Sequence, residues 1–161
     1  MTAQVKIGGL KAEKSQTAFT LNNFLPYQVV NFAERVSKSL AGIYQEEFDI
    51  TVAEWRILAC LGEYQVALPK DIARHTFMDK ARVSRALKLL FGKQLIVKIP
   101  CEDDNRAYWV SLNKAGKRLY VSIVPKALGW EANVLAALDG AEYENLLRIL
   151  QKLRERLDEV E

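Results

Sequence analysis

One segment, Leu68 to Leu112, constrains the fold of this chain more than any other. It opens with a short helical run in which Pro69 stands in the first turn, where the amide hydrogen that proline lacks would have no partner in any case. Only the residues from His75 to Met78 separate this run from a second helix, which Asp79 can cap by accepting free amide hydrogens. This spacing predicts a helix-turn-helix.

The second helix, predicted over residues 79–93, has one apolar face and one basic face. Its apolar residues recur at helical spacing and predict a buried stripe, formed by Val83, Ala86, Leu87 and Leu90. The opposite face and its flanks combine small with basic side chains, namely Lys80, Ala81, Arg82, Ser84, Arg85 and Lys88. Such a face suits a DNA major groove, because small residues allow close approach and arginine can bind guanine through two hydrogen bonds. A solvated helix surface is the plain alternative.

Two β-rich runs follow the basic helix, over residues 95–99 and 107–112. The polar stretch 102–106 joins them, which predicts a β-hairpin. Leu68 is a candidate for a short third strand of the same sheet. Two helices followed by a hairpin predict a winged helix, and the fold class is therefore mainly α with a small β-wing (α+β).

The charge distribution supports a polyanionic partner for this segment. Residues 69–118 contain 12 Lys and Arg and 5 Asp and Glu, a balance of +7, whereas the rest of the chain carries −4 of the formal net charge of +3. A basic segment in an otherwise acidic chain is typical of a surface that binds phosphates. It is also compatible with an acidic protein partner. DNA is favoured because the same residues independently predict a winged helix.

Four short motifs resemble the MarR family of bacterial transcriptional regulators: Ile72-Ala73, Asp79 to Arg85, Asp104-Asn105-Arg106, and Leu112 to Gly116. The resemblance implies that helix 79–93 reads the major groove, that Arg106 enters the minor groove, and that Asp104 orients the wing. Lys70 joins the expected DNA contacts. The family usually has a glycine just before the first wing strand, where this chain has Gln94. Because left-handed backbone disfavours glutamine, we expect the helix to end differently, through Gly92.

Long helices are predicted on both sides of the winged helix. Asn22 or Asn23 can cap a helix that runs to Phe48, and Thr51 with Glu54 forms a capping box for the next one. A helical segment from Asn113 to Leu138 contains Pro125, which would kink it or divide it into two helices.

The last predicted helix follows a second capping box, formed by Asp139 and Glu142, and carries a sustained apolar seam. This seam consists of Tyr143, Leu146, Leu147, Leu150, Leu153, Leu157 and Val160. With the apolar first helix, it predicts pairing with a second copy in a two-fold homodimer. The expected organisation is a loose tail (1–21), a winged helix (49–112) and a dimerisation region (22–48 and 113–161).

The resemblance also implies a small-molecule effector. Relatives often bind small aromatic acids between the pairing helices and the winged helix, which weakens DNA binding. The residues expected to line such a pocket are Tyr44, Phe48 and Trp55, although ordinary core packing is the plain alternative for Trp55.

The sequence contains no arrangement typical of a catalytic, metal or cofactor site. His75 is interpreted as structural or as a neighbour of a phosphate, and the acidic run 102–104 as a polar hairpin tip. Cys60 and Cys101 form no disulfide framework, and redox sensing through them is an alternative hypothesis. The absence of an apolar signal-peptide core or bilayer-length run predicts a cytoplasmic protein.

These observations predict a sequence-specific regulator of transcription, most simply a repressor, that binds double-stranded DNA as a homodimer on a palindromic operator. The alternatives are a winged-helix adaptor for an acidic protein and a thiol-based redox sensor.

Overall fold

Six α-helices and three short strands make up the part of the chain that a computed structural model describes, residues 19–101 and 107–160. After a 3₁₀ helix at Leu21–Asn23, the elements are α1 (Leu25–Phe48), α2 (Val52–Tyr64), β1 (Val66–Ala67), α3 (Pro69–Thr76), α4 (Lys80–Gly92), β2 (Ile96–Pro100), β3 (Tyr108–Leu112), α5 (Lys114–Leu135) and α6 (Gly140–Asp158). The predicted fold class, mainly α with a small antiparallel β-wing, is confirmed. The chain forms two compact units, Met1–Val36 and Ser37–Glu161, and α1 begins in the first and ends in the second.

In the first unit, the start of α1 differs from the prediction. Asn22 and Asn23 lie in the 3₁₀ helix and do not cap α1, which begins at Leu25 with Pro26 as its second residue. The side chain of Gln28 donates a hydrogen bond to the Asn22 carbonyl at 2.5 Å. This bond ties the first turn of α1 to the 3₁₀ helix, which stands where an asparagine cap was expected.

In the second unit, the three strands form an antiparallel sheet in the order β1-β3-β2. Val66 pairs with Ser111, and Ile96 pairs with Leu112. The expectation that Leu68 forms the third strand is wrong, because β1 ends at Ala67 and the Leu68 carbonyl instead accepts the first amide hydrogens of α3. Pro69, which follows directly, has no amide to donate to a strand and a backbone angle suited to a helix start.

The core lies where α2, α3 and α4 pack on one another and against the sheet. Its fully buried side chains come from all of these elements and include Ile57, Leu58, Leu61, Ile72, Val83, Leu90 and Val110. The predicted capping box at the start of α2 is confirmed, since Thr51 and Glu54 each accept the other's amide hydrogen. The winged helix is therefore built around one continuous apolar core.

The end of α4 is a Schellman motif that places Gln94 in left-handed backbone with φ of 55°. The Gln94 amide donates to the Phe91 carbonyl at 3.0 Å, and the Leu95 amide donates to the Leu90 carbonyl at 3.1 Å. The expectation that Gly92 would spare Gln94 the left-handed conformation is wrong, because Gly92 is still helical as the last residue of α4 and Gln94 has the positive φ. The Asn113 side chain donates to the Gln94 carbonyl at 2.7 Å, which supports this conformation despite a cost on the order of 1 kcal/mol.

Helix α5 is continuous through Pro125, so the alternative of two helices divided there is wrong. Asn113 caps α5 by accepting the Gly116 amide hydrogen at 2.9 Å. Gly116 lies against the Leu95 backbone, where the Cβ of any other residue would collide with the carbonyl oxygen. The close approach of this glycine brings α5 against the start of the wing.

The predicted capping box of α6, Asp139 with Glu142, is confirmed. Every described residue from 139 to 160 is exposed, including the predicted apolar seam. The most exposed members of the seam are Leu157 and Val160, each at 61%. Among the residues described, no helix combines the length and the apolar character needed to span a membrane.

A partly buried ion pair links the end of α4 to the start of α2. Glu54 is fully buried, and its Oε2 accepts the Thr51 amide hydrogen at 2.8 Å. The Lys93 ammonium lies 3.0 Å from Oε1, outside hydrogen-bond geometry, so it compensates this oxygen by its charge. The same ammonium lies 3.4 Å from the Asp49 carboxylate and donates to the Asp49 carbonyl. Lys93 therefore joins three segments of the winged helix.

We expect Lys93→Met to lower the free energy of unfolding by on the order of 3 kcal/mol, because it leaves the buried Glu54 carboxylate without a cation. Urea denaturation of the purified protein measures this loss. The double variant Glu54→Gln/Lys93→Met should recover part of it, since no buried charge then remains. Equal midpoints for wild type and Lys93→Met would contradict this account of the ion pair.

Candidate nucleic-acid interface

Helix α4 presents the two faces that its sequence predicts. Its buried stripe consists of Val83, Ala86, Leu87 and Leu90, each no more than 2% exposed. Asp79 caps the helix, with its carboxylate accepting the Arg82 amide hydrogen at 2.7 Å. Because the core fixes one side of α4 and the cap fixes its start, the other side is held outward in one orientation.

All six side chains predicted for the outward face and its flanks are exposed: Lys80, Ala81, Arg82, Ser84, Arg85 and Lys88. Lys70, from the first turn of α3, lines an open cavity of 330 Å³ together with Lys80 and Ser84. The structure therefore brings the predicted residue of α3 to the same surface as those of α4. Asp104 and Arg106, predicted for the wing, lie outside the described residues.

The turn between α3 and α4 depends on a left-handed residue that the sequence analysis did not identify. Phe77 has φ of 52° and ψ of 38°, and its side chain is 93% exposed. Met78 follows, buried at 6% exposure, and its amide donates to the Ala73 carbonyl at 3.1 Å. His75 stacks on Tyr64 with ring centroids 4.2 Å apart, consistent with the structural role predicted for it.

A cleft of 520 Å³ separates α4 from the wing strands. It is lined on the helix side by Ser84, Leu87, Lys88 and Phe91, and on the wing side by Lys98 and Tyr108. The Lys98 ammonium lies 4.5 Å from the Tyr108 ring centroid and 5.1 Å from that of Phe91. Lys98 was not among the site residues predicted from the sequence, since one lysine in a strand carries no signal until its aromatic neighbours are known.

The three residues predicted for an effector pocket occupy different environments. Tyr44 is 1% exposed, and this burial raises the pKa of its hydroxyl. Its ring stacks on Trp55 at 5.6 Å, and Trp55 in turn stacks on Tyr120 of α5 at 6.2 Å. Phe48 is half-buried, with the Lys126 ammonium 5.7 Å from its ring centroid. Trp55 also lines a surface cavity.

That cavity, of 280 Å³, lies beside α2 and α3 and is lined by Trp55, Arg56, Ala59, Cys60, Glu63, Tyr64, His75 and Thr76. Tyr120, which packs so closely on Gly62 that a Cβ there would collide with its ring, was not predicted for this region. It could be recognised only after α5 had been placed against α2.

The thiols differ in their surroundings. Cys60 is buried, and desolvation together with the nearby Glu63 and Asp71 raises the pKa of its thiol to about 11. Very little reactive thiolate is therefore present at neutral pH, which argues against Cys60 as a redox sensor. Cys101 is half-buried at the end of β2. The described residues contain no group of three or more metal-ligating side chains.

Comparison with known proteins agrees with this geometry. Residues 48–107 match the model of the MarR family. Among curated protein sequences, none matches this chain. A MarR/EmrR family transcriptional regulator from Acinetobacter sp. ADP1 is 28% identical, with a TM-score of 0.79 over 88% of this chain and 99% of that one.

Two further solved structures share the fold. MepR from S. aureus, solved as a DNA complex, is 23% identical with a TM-score of 0.73 over 83% of this chain and 96% of that one. BpsR from Bordetella bronchiseptica, whose DNA binding is regulated by 6-hydroxynicotinic acid, is 23% identical. Its TM-score is 0.67 over 79% of this chain and 98% of that one. The family model matched across α4 and the fold shared over most of the chain support membership of this protein in the MarR family of transcriptional regulators.

Proposed function

We propose that this protein is a homodimeric, sequence-specific repressor that binds a palindromic double-stranded operator and is released by a small aromatic acid. The observation that carries the proposal is the outward face of α4, which is wholly exposed and combines basic with small side chains. No other described helix is anchored by its buried stripe in the winged helix while presenting such a face.

Each residue type on this face has a distinct use against DNA. Arg85 and Arg82 can form paired hydrogen bonds with guanine or bind nearby phosphates, whereas Lys70, Lys80 and Lys88 supply phosphate contacts. Ala81 and Ser84 leave room for the base edges. Arg106, with Asp104 orienting the wing, is assigned to the flanking minor groove from the family resemblance. The MepR–DNA complex supports the use of this fold for DNA.

The exposed apolar surface supports a homodimer in which residues 22–48 and 113–161 pair and residues 49–112 bind DNA. Leu146, Leu150 and Leu153 on α6 are 39–46% exposed, and Val121 on α5 is 65% exposed. Apolar side chains repeated along a helix need a covering surface. A second copy supplies it and gives the assembly two-fold symmetry, which matches the symmetry of a palindrome.

Selection of bound sequences from a random duplex library tests the proposal as a whole. We expect enrichment of an inverted repeat with half-site centres about 34 Å apart, because two recognition helices of a dimer enter successive major grooves. Light scattering of the free protein should give twice the mass of one chain. A monomer that enriches no sequence and binds no duplex at low salt would contradict the proposal.

We expect Arg85→Ala to weaken binding to the selected operator by about 1–3 kcal/mol and to relax discrimination at one base position. Fluorescence anisotropy with the operator and its single-base variants measures both effects. Arg148→Ala is the matched control, since it removes the same charge outside the DNA-binding face, on the side of α6 opposite the apolar seam. A uniform loss of affinity on every duplex would show that Arg85 does not read a base.

The cavity beside Trp55 supports the effector. Trp55 and Tyr64 provide aromatic surface, and Arg56 provides a cation that can pair with a carboxylate. A cavity of 280 Å³ is close to the lower limit for small-molecule sites and suits a single-ring acid. In this proposal, Tyr44 and Phe48 belong to the effector region as packing residues behind the cavity, and Tyr44 stacks directly on Trp55. BpsR, regulated by an aromatic acid, supports the chemical class.

We expect 6-hydroxynicotinate or benzoate at millimolar concentration to weaken operator binding, whereas succinate should not. The ratio of the operator Kd with and without the acid is the measure, because it cancels any effect of a variant on basal binding. Arg56→Gln should bring this ratio close to one, while Arg148→Gln should leave it at the wild-type value. If none of the three acids changes the operator affinity relative to the protein without acid, the effector part of the proposal is wrong.

An adaptor that uses the basic face to bind an acidic protein remains the competing function. Binding to random duplex DNA separates the two, since phosphate contacts make affinity fall steeply with salt. An adaptor would show no such binding at any salt concentration.

A further inference from the structure

The size of α4 fixes where a DNA backbone would run. A helix with its side chains is roughly 10–12 Å across, and the major groove is about 12 Å wide, so the phosphates on each side lie against the flanks of the helix. One flank of α4 is formed by residues at successive turns, namely Lys80, Ser84, Lys88 and Phe91. The cleft between α4 and the wing runs along this flank.

The walls of this cleft are basic. The 520 Å³ cleft and the neighbouring 330 Å³ cavity share Ser84, Leu87 and Tyr108, so they form one continuous surface groove. Four lysines from three elements line it: Lys70 of α3, Lys80 and Lys88 of α4, and Lys98 of β2. The described side chains that line the groove include no carboxylate, so the described part of its lining carries a net positive charge.

Lys98 differs from the other three because its ammonium is held by two aromatic rings. Tyr108 on β3 and Phe91 on α4 lie on opposite sides of the cleft, and the ammonium is within about 6 Å of both ring centroids. Rings attract the cation electrostatically without accepting its hydrogen bonds in the way a carboxylate does. These two ring contacts therefore position the charge without using its N–H donors.

We propose that Lys98 is a phosphate-contacting residue for the DNA backbone along this flank of α4, and that Tyr108 and Phe91 are its positioning residues. The inference rests on the proposed DNA-binding function and adds a contact from the strand base of the wing. A lysine held over a ring loses less side-chain freedom on binding than a free surface lysine, which favours the phosphate contact.

Anisotropy titrations of the full chain with a random duplex, at NaCl concentrations from 50 to 200 mM, test the proposal. Lys98→Gln should make the slope of log K against log salt less steep by about 0.9 for each protomer engaged. Over this fourfold rise in salt, the loss of affinity should therefore be about 3.5-fold smaller for each contact removed. Lys98→Arg should restore the wild-type slope, because it keeps the charge and the affinity for aromatic rings. Lys152→Gln on α6 controls for net charge.

A double-variant cycle tests the positioning rings. Tyr108→Phe should bind as wild type, whereas Tyr108→Leu should weaken binding because it removes the ring but keeps apolar bulk. In the Lys98→Gln background, Tyr108→Leu should cause no further loss, since both changes remove one contact. Additive losses would show that Tyr108 acts independently of Lys98 and would overturn its positioning role.

Two other outcomes would overturn the inference in distinguishable ways. If wild type shows a steep salt slope that Lys98→Gln leaves unchanged, or that Lys152→Gln lowers equally, Lys98 does not contact phosphate although the DNA-binding function stands. If wild type binds no duplex at all, the proposed function fails and the inference fails with it.

Discussion

The architecture depends on one constraint, which is that α4 can bury only one of its faces. Val83, Leu87 and Leu90 pack in the core formed with α2, α3 and the sheet, and this packing leaves the basic face no orientation except outward. Burial of apolar area supplies the stabilisation and the helical period supplies the direction. The same residues that stabilise the winged helix therefore aim its candidate DNA contacts.

The two ends of α4 are fixed by backbone conformations that cost energy and are supported by their neighbours. Phe77 before the helix and Gln94 after it both have positive φ. Beyond the Schellman bonds at Gln94, Asn113 holds its carbonyl, and Lys93 ties the same end to the buried Glu54. Such junctions leave the helix little freedom to turn about its axis and so keep its basic face in one orientation.

Helix α5 connects the winged helix to the surfaces that remain exposed. Its Tyr120 extends the aromatic stack from Tyr44 through Trp55, and Gly116 lets its first turn approach the wing. Farther along, the Trp130 indole donates to the Ser39 hydroxyl at 3.0 Å, and Lys126 pairs with Glu47 of α1 at 2.6 Å. These contacts join α5 to α1, to α2 and to the start of the wing through packed side chains.

The sequence by itself determined the helices, the caps of α2 and α4, the strands of the wing and the basic face. These follow from local chemistry, because Thr51 and Asp79 are good caps and apolar residues recur with the helical period. It could not decide the left-handed end at Gln94, the strand at Val66, the continuity through Pro125 or the pairing of Glu54 with Lys93. Each of these depends on partners distant in the chain. Asn113 holds the end at Gln94, and Ser111 pairs with Val66. The continuity of α5 and the Glu54–Lys93 pair depend on how α5 and α4 pack against their neighbours. Only tertiary structure placed Lys98 between Phe91 and Tyr108, because an aromatic clamp exists only once strand and helix lie side by side.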